Sequence, residues 1–198
     1  MRIRGEVSAS VRGGAGSPTR QPRWGAGGGA PPPVQKKMPT IEASGRAKGL
    51  RFALVVSKYN DFVTDRLQAG ALEALAAAGV APGDITVVRV PGAFEIPLAA
   101  QHAAHTGRYD AVVCLGCVIR GETPHFEYIC SAVAHGLTAA SAATGVPMAF
   151  GVLTTNSVEE ALARAGDGPS NKGREAAVAA IEMAEVVAHL TRQTAPKA

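Results

Sequence analysis

Cysteine is scarce in this chain of 198 residues: Cys114, Cys117 and Cys130 are all there is. An odd, sparse count without a secretory signal excludes a disulfide framework and points to a reducing, cytoplasmic compartment. Cys114 and Cys117 do form a C-x-x-C pair. They fall in an apolar strand, however, where residues three apart point to opposite faces. A redox pair would sit at a helix N-terminus, and a zinc site would need two more ligands nearby. Both are therefore expected to be buried strand residues, and no metal is expected. Long hydrophobic runs are also missing. None approaches the roughly 20 residues that span a bilayer, so no membrane-spanning helix is expected. Aromatics make up 5% of the chain, and the helices are filled instead by small residues, as in LTAASAA (137–143) and EAAVAAIEMA (175–184). A domain with few large core residues often completes its burial against neighbouring subunits.

Acidic residues are nearly absent from the N-terminal stretch. Residues 1–37 carry seven basic residues and one acid, net +6, against thirteen and fifteen in the remainder, net −2. The high pI belongs to this stretch, so the fold itself offers no basic nucleic-acid surface. Residues 1–47 read as a separate extension. GAGGGAPPP (25–33) has nothing apolar to bury and is expected to be disordered. A targeting peptide, a chain that truly starts at Met38 and a genuine flexible extension all fit; the lack of amphipathic periodicity favours the start at Met38. A domain is expected over 48–192, with a flexible end at 193–198.

From Leu50 on, apolar runs alternate with helical patterns. Strands are expected over 50–56, 85–90, 111–119 and 148–153. Helices are expected over 63–78, 95–106, 123–144 and 158–165, with a last one carried by Ala177, Ile181, Ala184 and Ala188. Gly79, Gly107 and Gly145 stop three of them. Near-continuous apolar strands imply a sheet covered on both faces. Alternation with helices implies a parallel sheet with right-handed crossovers. The expected fold is a three-layer α/β/α sandwich, flavodoxin-like.

Two segments carry most of the chemistry. Residues 90–97 (VPGAFEIP) leave the second strand through Gly92 and deliver an aromatic face, Phe94, and a carboxylate, Glu95, to one end of the sheet. Ligands of open α/β sheets bind there, and an aromatic plate beside an acid suits a flat polar heterocycle. Residues 116–125 (GCVIRGETPH) leave the third strand near Ile119. Thr123 is expected as N-cap with Pro124 at the first helical position. The free amides of that helix start would form an anion site. His125 stands beside it, and histidine is the residue type suited to proton transfer at physiological pH. Tyr59 follows the first strand and could stack on a ligand. His102, His105, His135 and His189 have no spacing that builds a metal site. Arg164 and Asn171-Lys172-Gly173 flank a polar loop; taken alone they read as surface charge, as Phe150 alone reads as core.

Together these pieces resemble the lumazine synthase family of riboflavin biosynthesis. The resemblance runs over about residues 48–190 and rests on VPGAFEIP, GCVIRGETPH, FGVLT (150–154) and AGDGPSNKG (165–173) in this order and spacing. It implies condensation of 5-amino-6-(D-ribitylamino)uracil with (3S)-3,4-dihydroxy-2-butanone 4-phosphate, through an imine, loss of phosphate and ring closure, with no metal and no organic cofactor. It also implies residue roles. Tyr59 stacks on the pyrimidine, where the family usually has another aromatic. Ala93, Phe94 and Glu95 hold the ribityl chain and pyrimidine. Cys117, Val118 and Ile119 offer backbone contacts to the ring. Glu122 and Thr123 cradle phosphate with their amides. His125 moves protons, with Glu175 as an orienting carboxylate. Phe150, Arg164 and Lys172 come from the neighbouring subunit, Arg164 gripping the phosphate. The implied partners are the small-molecule substrates, copies of the chain in a pentamer or pentamer-based shell, and riboflavin synthase. The loop 167–170 is as short as in shell-forming members but lacks their usual glycine-and-lysine pattern. A non-catalytic flavin-binding relative would not need His125, Arg164 and Lys172 together. A flavodoxin-like electron carrier would need a hydroxyl- and glycine-rich loop after the first strand, and SKYNDF (57–62) is not one.

Overall fold

A computed structural model describes residues 38–194. The chain divides into two compact units, Met1–Pro39 and Thr40–Ala198, and all the secondary structure described here lies in the second. The readings of residues 1–37 and of the last four residues lie outside the described residues.

Four strands, β1 (Phe52–Ser57), β2 (Ile85–Val90), β3 (Ala111–Ile119) and β4 (Met148–Thr155), alternate with five helices. These are α1 (Asp61–Ala77), α2 (Ile96–His105), α3 (His125–Thr144), α4 (Val158–Arg164) and α5 (Lys172–Thr194). All strand pairs are parallel, in the order β2-β1-β3-β4. Each β-helix-β crossover therefore places its helix on one face. Phe52, Leu54, Val56, Val113, Leu115 and Cys117 pack under α1, α4 and α5. Ala53, Val55, Val112, Cys114 and Val152 pack under α2 and α3. The expected three-layer α/β/α sandwich is thus borne out. The strand alternation separates the two cysteines: Cys114 points to one face and Cys117 to the other, both fully or almost fully buried. Burial pushes the Cys117 thiol up to about 11 and Cys114 still further, so both stay neutral.

The sequence set β2 and β3 at their observed bounds. β4 runs two residues further than expected, because Thr154 and Thr155 continue the ladder opposite Val118 and Ile119. β2 departs from the expectation of strands covered on both faces: Thr86, Val87 and Arg89 are exposed. It is an edge strand of the sheet, and of these exposed positions Arg89 reaches back to α1, pairing with Asp65 at 2.6 Å. The helix expected from residue 95 begins instead with a tight 3-10 turn, Ala93–Glu95, and only then becomes α2. Gly79 and Gly145 take left-handed φ of +89° and +70° just past α1 and α3, the conformation that ends a helix at no Cβ cost.

The N-terminal boundary also shifts. Ala47, expected in the extension, is fully buried, and its N–H donates to Ala78 O at 2.9 Å. Just before it, the Glu185 carboxylate of α5 accepts from the amides of Ser44, Gly45 and Arg46 and from the Ser44 hydroxyl.

α1 and α5 approach almost backbone to backbone. A Cβ on Gly173 would fall inside the Leu67 carbonyl, and one on Gly70 inside the Asn171 amide. Asn171 is the buried keystone. Its Oδ1 accepts from the Gly173 and Arg174 amides at 2.9 and 3.1 Å, and its Nδ2 donates to the carbonyls of Arg66, Ala165 and Gly166. The N-K-G run that looked like surface loop therefore has two structural residues around one functional candidate. Oxygen on Asn171 satisfies the first free amides of α5, and this fixes where Lys172 emerges.

Candidate active site

The order β2-β1-β3-β4 puts the switch point of the sheet between β1 and β3, the place where such sheets bind ligands. A cleft of about 410 Å3 opens there, at the strands' carboxyl ends. Three exits build it. After β1, the amides of Lys58 and Tyr59 donate to Val90 O and Pro91 O, tying the β1 exit to the β2 exit. Tyr59 is left standing out, 72% exposed. After β2, the Gly92 N–H donates to Glu95 Oε2 at 2.9 Å, which folds the carboxylate back over its own turn. A Cβ on Gly92 would sit 3.1 Å from that oxygen, so glycine serves the close approach. Ala93 is buried beneath, and Phe94 projects, 58% exposed. After β3, Cys117, Val118 and Ile119 form the floor, and Gly121, Thr123, His125, Phe126 and Ile129 close the far side. Glu122 is exposed and its side chain makes no hydrogen bond among those of the described residues.

Two features differ from the expectation. Thr123 does not cap α3. The helix starts at His125 with Pro124 as N-cap, no side chain closes the cap, and the Glu127 amide turns back to Pro124 O at 3.1 Å. Pro124, lacking an N–H, is tolerated one residue earlier than anticipated, and Thr123 is released to line the cleft. Asn60 was not singled out from sequence. It is the one non-glycine residue of positive φ (59°) among those described, it starts α1, and its side-chain amide donates to Cys117 O at 3.0 Å. Asparagine's tolerance of the left-handed region was the available signal. Its contact fixes the floor of the cleft against the β1 exit.

The remaining candidates meet elsewhere. Phe150, Thr154, Arg164, Lys172 and Glu175 line a second cleft, also of about 410 Å3, on the β4, α4 and α5 side. Lys172 Nζ donates to both Glu175 oxygens, at 2.9 and 2.7 Å. Arg164 leans on the Glu160 carbonyl at 2.9 Å. Phe150, read alone as core, is 47% exposed. Within the chain Glu175 thus keeps company with Lys172, and the structure does not bring it to His125. The clefts share no residue.

A sequence model of the 6,7-dimethyl-8-ribityllumazine synthase family matches residues 49–188. The chain belongs to the lumazine synthase family. Membership places it among the enzymes of riboflavin biosynthesis, as a transferase. Curated relatives are similar over most of their length. The 6,7-dimethyl-8-ribityllumazine synthase of Desulfosudis oleivorans is 53% identical over 152 residues, which cover 77% of this chain and 97% of the relative. That of Syntrophus aciditrophicus is also 53% identical, over 76% and 98%. That of Desulfatibacillum aliphaticivorans is 50% identical over 72% and 92%. Phe150 and Arg164 both stand exposed in the second cleft. Among the described residues, no helix is long and apolar enough to cross a membrane.

Proposed function

We propose that this lumazine synthase condenses 5-amino-6-(D-ribitylamino)uracil with (3S)-3,4-dihydroxy-2-butanone 4-phosphate, giving 6,7-dimethyl-8-ribityllumazine, phosphate and water. The observation that carries this reading is the company His125 keeps. It starts α3 beside the open Gly121–Thr123 turn, in a cleft walled by Tyr59 and Phe94. The aromatic walls suit the pyrimidine, and Glu95 with the Ala93–Phe94 backbone suits the hydroxyls of the ribityl chain. The backbone of Cys117, Val118 and Ile119 suits the ring's polar edge. The amides of Glu122 and Thr123, which no hydrogen bond among the described residues occupies, suit the phosphate.

In this scheme the uracil's 5-amino group attacks the ketone and the carbinolamine loses water to an imine. His125 takes and returns the protons, a role worth about 10²–10⁴-fold for general acid–base groups. Phosphate leaves as the neighbouring carbon gives up its proton, the enol left behind becomes a ketone, and the ribitylamino nitrogen attacks that carbonyl and closes the ring with loss of a second water. Orientation of two bound partners supplies much of the acceleration. The phosphate grip adds binding energy away from the forming C–N bond. That grip belongs to Arg164 and Lys172 of an adjacent copy, with Glu175 holding Lys172 in place and Phe150 closing over the ring. The working unit is accordingly a homo-oligomer, a pentamer or an assembly of pentamers, acting in the cytoplasm.

The test is a mixing assay that follows the fluorescent lumazine with and without the ketone phosphate. Enzyme-dependent product well above the spontaneous rate is expected. Arg164→Ala should raise KM for the ketone phosphate by about 10-fold or more, the scale of a lost charge-assisted contact. His125→Ala should lower kcat by about 10-fold or more. Product formation no faster than the uncatalysed reaction, from correctly assembled protein, would remove the reading.

A further inference from the structure

Arg120 has no part in the roles above, yet its one guanidinium meets three side chains at once. Its backbone N–H donates to Thr155 O at 2.9 Å, so its Cα is anchored at the ends of β3 and β4. Its Nε donates to Asn156 Oδ1 at 3.0 Å. A terminal nitrogen pairs with the Glu127 carboxylate in the first turn of α3, and the guanidinium carbon lies 4.3 Å from the centre of the Phe126 ring. Glu127 and Phe126 are the two residues directly after His125. The pairing holds the Glu127 carboxyl below its ordinary range.

The segment between Arg120 and α3 has no support of its own. Among the described residues, Gly121, Glu122 and Thr123 take part in no hydrogen bond, by side chain or backbone. No side chain caps α3 either. An unsupported three-residue turn leading into an uncapped helix should leave its first residue poorly placed, and that first residue is His125. We propose that Arg120 is a positioning residue: it braces the first turn of α3 against the ends of β3 and β4 and so holds His125 and the Gly121–Thr123 turn in place. Asn156 is itself held, its amide donating to Glu160 Oε2 at 3.0 Å, so the brace ends on the start of α4. Arginine suits the task as lysine does not. A planar fork serves an amide oxygen, a carboxylate and an aromatic face together, whereas an ammonium is a single point of charge.

The kinetic consequence rests on the condensation proposed above, and the experiment separates the two. Arg120→Lys and Asn156→Ala are prepared in the full-length chain, and their assembly is compared with that of the parent. Steady-state kinetics are paired with amide hydrogen exchange over residues 121–129. Arg120→Lys should lower kcat about 10-fold or more, as misplacement of a reacting group does, with KM for the uracil within about twofold. Exchange over this segment should accelerate about 10-fold or more, with the sheet unchanged. Asn156→Ala should move both quantities the same way by less, and it carries the test alone where Arg120→Lys fails to assemble. Variants with kcat and exchange both within twofold of the parent overturn the inference. So does a loss of kcat without faster exchange, since the brace would then not be what was lost. If the parent protein shows no turnover, the proposed condensation falls and exchange alone decides whether Arg120 braces the turn.

Discussion

The two clefts of this subunit are equal in volume and opposite in chemistry. The first, at the ends of β1, β2 and β3, is lined by aromatic, aliphatic and backbone groups, with His125 its one histidine and no lysine or arginine. The second, along β4, α4 and α5, holds Arg164, Lys172 and Glu175 around a bare phenylalanine. The first suits a flat ring, and the second brings the charged side chains that suit an anion. A reaction that joins a heterocycle to a phosphate ester needs the two kinds of surface to face each other. A second copy of the chain is the economical way to supply the missing half, and symmetric oligomers bring unlike patches of identical chains together.

The largest effect that would break the comparison comes from a glycine. Gly173→Ala places a methyl group inside the Leu67 carbonyl, and α5 must move away from α1. Such overpacking is expected to cost about 3 kcal/mol and to lower Tm by roughly 6–12 °C in a domain of this size. Because Lys172 and Glu175 ride on that helix end, the second cleft should fail with it, while tyrosine fluorescence near the first changes little. Gly121→Ala is the contrast, since nothing lies within 4 Å of its Cβ. Its Tm should stay within about 1 °C, as surface changes generally stay within about 0.5 kcal/mol; an equal loss in both variants would erase the distinction.

Next in size is complementation. His125→Ala disables the first cleft and Arg164→Ala the second. Neither purified variant should exceed about a tenth of parental activity. Unfolded and reassembled together at equal amounts, they should recover roughly a quarter, because random mixing around a ring pairs two intact halves at one interface in four. If both halves act within one subunit, every hybrid site carries a defect and no recovery appears. This measurement bears directly on whether the two surfaces belong to a single site.

How much of this was legible in the sequence depended on side-chain period and on what lay far away in space. β3 and its cysteines were readable because a period of two separates Cys114 from Cys117 whatever surrounds them. The layer order followed from alternating apolar runs. The half-covered β2 was only hinted at by Thr86 and Arg89 within Ile85–Val90, and exposed Val87 gave no such hint; edge position is a property of the whole sheet. The start of α3 moved by a residue because Thr123 is a good cap only if its hydroxyl turns inward, and Pro124 took the position instead. Asn171 and Gly173 were read as loop because their partners, Arg66, Leu67 and Gly70, lie about a hundred positions earlier. Asn60 and Arg120 share that fate: each acts on a strand end far along the chain, Asn60 on Cys117 and Arg120 on Asn156, which no local pattern announces.

The smallest expected effect sharpens the comparison by leaving both clefts alone. On the far side of α5 from Lys172 in sequence, Glu185 holds residues 44–46. Desolvation pushes its carboxyl up, but the Ser44 hydroxyl and the amides of Ser44, Arg46 and Gly45 outweigh that and hold it below its ordinary value. A lowered carboxyl contributes stability that is complete above its unfolded pKa, near 4.3 for glutamate, and is lost as the pH falls through the lower folded value. Acid should therefore release residues 44–46 before the fold melts, and Glu185→Gln should release them at every pH. Amide exchange at Ser44, Gly45 and Arg46, corrected for the pH dependence of intrinsic exchange, reads the change. Protection that persists unaltered in Glu185→Gln would mean that the burial of Ala47, rather than the carboxylate, fixes this segment. Release accompanied by loosening of residues 121–129 would mean that the first cleft depends on it as well, and the clean division between regions of the subunit would have to be redrawn.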